Sequence, residues 1–208
     1  MKKLLETFED LKQKNLSIDL TRGKPHSDQL DLSNDLMTQA VDPIGENDVD
    51  LRNYGEPIGI IEARRLGADI LDSRVDLTIA GEQSSYLLMT QLLLGRLLFG
   101  LDDDPWKDDK EPAFLCAVPG FDRHFATLEG LGLKMHTVNL CSSGIDLDDL
   151  NKKLSKYPNI KGLICVPRHS NPSGEVFSDE NITNLLNITK EYNPCLLYTS
   201  PSPRDSLS

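Results

Sequence analysis

Hydrophobic positions along this chain change their spacing several times, and each change predicts a new element. Residues 1 to about 14 place Leu4, Leu5, Phe8 and Leu11 on one helical face, which predicts an amphipathic helix. Ser17 to Leu20 reads as short and extended, running into a turn at Thr21 to Pro25, and Asp42 to Asp50 reads as loop. From Pro57 the pattern becomes regular. Pro57 stands where a helix can begin, with Ile58, Ile61, Ala63 and Leu66 near helical spacing. Val75 to Ala80 predicts a strand and Ser84 to Phe99 a strongly apolar helix. Strands follow at Ala113 to Val118, Met135 to Val138 and Ile160 to Val166. Helices are predicted at Asp122 to Leu131, Asp146 to Leu154 and Ser178 to Glu191, the last with Ser178 as N-cap. The unbroken apolar run Gly162 to Val166 is the mark of a parallel strand buried on both faces. The alternation predicts an α/β protein with a mainly parallel, helix-covered sheet.

The last stretch departs from this rhythm. A strand is due after the helix ending near Tyr192, yet Cys195 to Ser208 carries two Ser-Pro pairs and reads as a disordered tail. The string also resembles translated sequencing-adapter read-through, which places the end of natural sequence near Pro194.

Composition narrows the function. The chain has 208 residues, 38% hydrophobic and 26% charged, as in an ordinary globular protein. Its formal net charge of -11 argues against nucleic acid or an anionic membrane as the main partner. No apolar run approaches the ~20 residues a bilayer needs, and no signal peptide is evident, so a cytoplasmic protein is expected. The four cysteines show no CxxC spacing, which suggests neither a disulfide framework nor a zinc site. Two Asn-Ile-Thr triplets, at Asn181 and Asn187, match glycosylation acceptors but carry no meaning without secretion.

Four segments are expected on one edge of the sheet, where open α/β sheets bind ligands. Thr78 to Ser85 offers a glycine turn and helix start, with Ser84 and Ser85 as an anion site or simply as helix caps. Phe121 and His124 sit one helical turn apart after a strand, and each could equally serve packing. Ser170-Asn-Pro-Ser-Gly174 places Asn171 at a strand end, and Arg52-Asn-Tyr-Gly-Glu-Pro57 offers Tyr54. A phosphate cradle, an aromatic face, a hydrogen-bonding amide and a histidine suit a flat, phosphorylated heteroaromatic cofactor. No GxGxxG, GxxxxGK[ST], HExxH or GxSxG motif points elsewhere.

Taken in order, Arg52-Asn-Tyr-Gly, Pro119-Gly-Phe-Asp-Arg-His-Phe125 and Ser170-Asn-Pro-Ser-Gly174 resemble the fold-type I pyridoxal-phosphate aminotransferases. With Pro105-Trp106 and Phe114-Leu-Cys116, the likeness is nearest to a bacterial aspartate-aminotransferase-like subgroup and covers about residues 16 to 194. It implies a three-layer large domain, incomplete at the C-terminus, and pyridoxal 5′-phosphate as cofactor. It implies that Gly23 lies near the substrate carboxylate and that Tyr54 reaches the cofactor phosphate of the neighbouring subunit. Gln83, Ser84 and Ser85 fall on the phosphate turn, and Phe121 stacks on the pyridine ring. His124 supports the aspartate beneath the ring nitrogen, and Asn171 bonds the phenolic oxygen. Ser173 stands where threonine is usual, and Glu82 beside the phosphate turn should point away from it.

The resemblance also implies what this sequence does not contain. The Schiff-base lysine, the ring-nitrogen aspartate and the substrate-carboxylate arginine all lie beyond Asn171 in the family, and no lysine here matches. The implied enzyme moves an amino group from an amino acid to a 2-oxo acid and is a homodimer, while the chain as written is expected to be inactive and to fold poorly. The expected organisation is an N-terminal helix and arm at 1–50, a partial cofactor-binding domain at 51–194 and a non-native tail at 195–208. A lyase of the same fold and a non-catalytic phosphate-binding α/β module remain the competing readings. A transcription regulator is disfavoured by the short lead before the matching region.

Overall fold

The computed structural model describes residues 2–17, 24–81, 84–100, 104–192 and 195–198. The chain divides into two units, Met1–Tyr54 and Gly55–Ser208. In the first, the predicted amphipathic helix is α1 (Lys2–Gln13), with Leu4, Leu5, Phe8 and Leu11 all exposed. A short helix α2 (Ser27–Asp31) follows. It is capped by His26, whose Nδ1 accepts from Asp28 N–H while Gln29 Oε1 accepts from His26 N–H. The loop predicted at 42–50 closes on itself through an antiparallel bridge between Ile44 and Asp50.

The second unit holds the sheet. Its helices are α3 (Ile61–Leu71), α4 (Ser85–Leu98), α5 (Asp122–Gly130), α6 (Leu147–Lys156) and α7 (Asp179–Tyr192). Its strands are β1 (Ala113–Val118), β2 (Lys134–Cys141), β3 (Gly144–Ile145), β4 (Ile160–Cys165) and β5 (Cys195–Tyr198), in spatial order β3-β2-β1-β4-β5. β1, β2, β4 and β5 are parallel, and only the two-residue β3 runs antiparallel, against β2. The expected α/β architecture is therefore present, in three layers.

Alternation along the central strands sorts the core. Leu115, Ala117, Leu163 and Cys165 face one side, with Leu150 and Leu154 of α6 and Leu185 of α7. Phe114, Cys116 and Ile164 face the other, with Met89 and Leu93 of α4, Leu128 of α5 and Trp106. β1 is buried over five of its six residues, as a strand covered on both faces must be. The Asn181 side chain adds a polar clamp: its Nδ2 donates to Ile145 O at 2.8 Å and its Oδ1 accepts from Ile145 N–H at 3.0 Å. Asn181 is 6% exposed and its amide is bonded through both Oδ1 and Nδ2, so the triplet there is not an accessible acceptor.

Three sequence expectations are corrected. Val75 to Ala80 is not a strand. Val75–Leu77 winds into a 3-10 turn, and Arg64 satisfies its carbonyls, Nη2 donating to Val75 O at 2.8 Å and Nε to Thr78 O at 2.9 Å. Those carbonyls have a side-chain partner instead of a neighbouring strand. Pro57 does not open a helix, since α3 begins at Ile61. The intervening Gly59 has φ +88°, and Ala80 passes so close that a Cβ at Gly59 would meet its backbone. Finally, the disorder expected from Cys195 onward does not hold for its first residues. Cys195–Tyr198 pairs with Gly162–Cys165 as parallel strand β5, the strand due after α7. The apolar Cys-Leu-Leu-Tyr run extends a sheet whose edge it can reach, and this outweighs the Ser-Pro pairs beyond it.

Candidate functional site: a pocket at the carboxyl edge of the sheet

β1 and β4 are parallel neighbours, so the turns that leave them emerge on the same edge. Between those turns lies a small recess that opens to solvent. Its walls include Phe121, His124 and Phe125 from the start of α5, Cys165 and Ser170 from the end of β4 and its turn, and Leu140 from β2. Of the residues read from the sequence, Phe121 and His124 both line it, and Asn171 follows the lining residue Ser170 directly.

The turn after β4 is pinned at both ends. Ser170 N–H donates to Glu175 O at 3.0 Å, Gly174 N–H to Ser170 O at 2.5 Å, and Phe177 N–H to Pro167 O at 2.8 Å. Gly174 has φ +78°, a backbone region that side chains disfavour, and this closes the turn. The peptide bonds entering Pro119 and Pro172 are both cis. Ser178, the predicted N-cap of α7, accepts from Asn181 N–H with its hydroxyl. Ser170 is thus held in place while Asn171 stands exposed at the rim.

Phe121 and His124 meet edge to face, with ring centroids 5.2 Å apart and planes at 80°. Burial holds the His124 pKa below its usual value, with nearby Asp122 pulling the other way. The imidazole is therefore neutral at pH 7, with one donor and one acceptor nitrogen. Burial pushes the Cys165 thiol up to about 12, so it stays protonated and unreactive. The inner wall accordingly presents an aromatic ring, a neutral imidazole, a hydroxyl and a thiol, none carrying formal charge.

Polar capacity on this wall is unspent. The ring nitrogens of His124 and the hydroxyl of Ser170 make no hydrogen bond to another side chain or backbone group among the described residues, and they are not among the fully buried polar atoms left without a partner. On the same turn, Ser173 Oγ and Glu175 Oε2 are buried without a hydrogen bond. A recess lined mainly by aromatic and apolar side chains, with an imidazole and a serine among them, fits a flat, apolar body with polar atoms at its edge. Pyridoxal phosphate has that form.

An anionic phosphate needs other surroundings. α4 begins with Ser84 as N-cap, its Oγ accepting from Leu87 N–H at 3.4 Å, and Ser85 starts the helix. The capping role considered from sequence is therefore real, and it leaves the amino end of a 14-residue helix available to an anion. A 2.6 Å hydrogen bond between Tyr86 Oη and Thr127 Oγ1 ties the first turn of α4 to α5. Thr127 lies five residues into α5, roughly 8 Å along the helix from its start. Gln83, Glu82 and Gly23 lie outside the described residues. Tyr54 belongs to the first unit and is fully exposed there, beside Arg52, which grips Asp50 through Nε and Nη2 at 2.8 Å each.

Sequence reasoning gave no role to Ser170, Cys165, Phe125 or Leu140. Strand alternation could have brought Cys165 forward, because it shares the face of Leu163. Nothing in the local pattern distinguishes Ser170 from an ordinary turn serine.

Comparison with known proteins places this geometry. Residues 1–195 match the family model described as aspartate amino-transferase. An aspartate aminotransferase of Corynebacterium glutamicum is 38% identical over 181 residues, covering 83% of this chain and 41% of that protein. A solved aspartate transaminase from the same species superposes with a TM-score of 0.77 at 36% identity, over 88% of this chain and 44% of the other. An α-aminoadipate aminotransferase from Thermus thermophilus, at 18% identity and a TM-score of 0.59, shares the fold over 71% of this chain and 34% of its own. The chain therefore spans about two fifths of the length of the curated relative it matches. Over that span the chain belongs to the aspartate amino-transferase family, within the fold-type I aminotransferases.

Proposed function

We propose that this chain supplies the cofactor pocket of a pyridoxal-phosphate-dependent aminotransferase that moves an amino group from an amino acid to a 2-oxo acid. The observation that carries the reading is the convergence of Phe121, His124 and Ser170 on one uncharged recess. When bound, the cofactor supplies an electron sink for the charge left as a carbon loses its proton.

The chain's own residues have simpler tasks. Phe121 stacks on the flat ring and excludes water from one face. His124, neutral and buried, holds a proton on one nitrogen and offers the other as acceptor, which suits it to orient a buried carboxyl or ring nitrogen. Asn171 donates from the rim to the phenolic oxygen. Ser84, Ser85 and Gln83 at the amino end of α4 hold the phosphate, with Tyr54 contributed to a neighbouring subunit in a homodimer. Gly23 approaches the substrate carboxylate through its backbone. The name of the Corynebacterium relative makes aspartate the first amino acid to assay. A cytoplasmic setting suits such an enzyme.

No lysine lines the cavity among the described residues, so this chain on its own binds the cofactor without turning over. Competition binding tests the reading. Pyridoxine 5′-phosphate is the probe, because it lacks the aldehyde and cannot react with surface lysines. Pyridoxal phosphate should displace it, whereas inorganic phosphate and ATP at equal concentration should not. Equal displacement by all three would leave only a general phosphate-binding module.

A further inference from the structure

Phe121 is the stacking surface of the proposed function, and a positive charge lies against it. The Arg123 guanidinium carbon stands over the Phe121 ring, 5.9 Å from its centre. At that separation a cation and an aromatic face attract. Arg123 is exposed and forms no ion pair among the described residues, Asp122 next to it included. The contact of its guanidinium is therefore with this ring.

Both residues belong to the start of α5. Phe121 is the N-cap, with extended backbone at φ −77° and ψ 118°, and its side chain makes no capping hydrogen bond. His124, one turn on, meets the same ring edge to face at 5.2 Å. The two neighbours approach from different surroundings. His124 is buried and lines the recess, whereas Arg123 is exposed and is not part of its lining. The guanidinium thus covers the ring from the solvent side.

Phe121 itself is only half-buried, so close packing does not hold it on every side. A ring at the mouth of a recess is free to change rotamer unless a neighbour restrains it. A stacking surface that must be ordered on binding weakens affinity by the cost of that ordering, and one already held does not. A planar guanidinium suits the restraint, because it stacks on an aromatic face and leaves the opposite face free.

We propose that Arg123 is a positioning residue for the cofactor, its guanidinium backing the Phe121 ring from solvent and holding it in the orientation that receives the cofactor ring. The inference rests on the proposed function. Arg123 acts through Phe121 and needs no contact of its own with the ligand.

The test compares the 208-residue chain with Arg123→Lys and Arg123→Met, titrated with pyridoxine 5′-phosphate and followed by the ligand's fluorescence anisotropy. Lys keeps the cation, and Met keeps an apolar stem without charge. Circular dichroism and the fluorescence of Trp106, the one tryptophan, check that each variant folds. Met should weaken binding about two- to fivefold, the worth of an exposed cation–π contact, and Lys should stay within about twofold of the parent. Without ligand, the aromatic carbon shifts of Phe121 should move in Met and stay near the parent's in Lys. Inorganic phosphate should bind alike in all three. Parental affinity or unmoved Phe121 signals in Met would overturn the proposal and leave the pocket reading intact. Tighter binding in Met would overturn it too, placing the guanidinium on the ligand's own face. Equal weakening of phosphate binding would also overturn it, since the charge would then act on the phosphate directly. Failure of the parent chain to bind pyridoxine 5′-phosphate would overturn the pocket reading, and the proposal with it.

Discussion

His124 is the residue whose physical state says most about the pocket. Its pKa is lowered mainly by burial, so over a range below the ordinary value of 6.5 the unfolded chain takes up a proton that the folded chain refuses. The sign follows directly. The stability associated with His124 is complete above about pH 6.5 and declines as pH falls towards its folded value. His136 shifts in the same direction, through burial and then the charges of Lys153, Lys156 and Lys134, and it shares the window. Urea unfolding at pH 7.5 and 5.5 separates the two. His124→Asn and His136→Asn should each flatten the loss between those pH values, and unchanged pH dependence in His124→Asn would mean the imidazole is not buried as described. Asn181 offers a second test at this scale. Asn181→Ala leaves Ile145 N–H and C=O unpaired in the core and should cost roughly 2–4 kcal/mol in chemical denaturation.

At the scale of elements, legibility in the sequence followed burial. β1 and β4 were readable because a strand covered on both faces must be apolar throughout, and Phe114-Leu-Cys-Ala117 and Leu163-Ile-Cys165 are. The 75–80 segment has a similar apolar content, but its carbonyls are claimed by Arg64, eleven and more residues away in sequence, and no local pattern announces that. α3 starts late for a like reason, since Gly59 is committed to the approach of Ala80. In the site, Phe121 and His124 were legible through their spacing after a strand. Ser170 was not, because nothing in the local pattern distinguishes it from an ordinary turn serine. The turn itself makes a prediction. Gly174→Ala forces a side chain into φ +78° and should cost about 1–2 kcal/mol, with weaker pyridoxine 5′-phosphate binding because Ser170 and Asn171 lose their setting. Normal stability in that variant would mean the turn is not held closed as described.

For the whole molecule, the sheet is the organising object. Its two cores lie on opposite faces of β1 and β4, and the pocket forms where those same strands end. Truncating Leu163, 1% exposed in the centre of the sheet, should cost about 2–5 kcal/mol and abolish ligand binding by unfolding, not by local change. The catalytic consequence is separate. With pyridoxal phosphate, aspartate and 2-oxoglutarate, this chain should form no glutamate above the rate without protein, because no lysine lines the cavity among the described residues. Measured turnover would require a lysine elsewhere to reach the ring.

The central claim is that the recess between the start of α5 and the β4 turn is a cofactor pocket, and amide chemical-shift mapping with pyridoxine 5′-phosphate tests it most directly. The account predicts saturable shifts at Phe121, His124, Ser170, Asn171 and Gly174, and at Ser84 and Ser85, with β2 residues Lys134 to Thr137 at the opposite end of the sheet unmoved. Saturable shifts confined to other surfaces, or none at the Ser170–Gly174 turn, would contradict it.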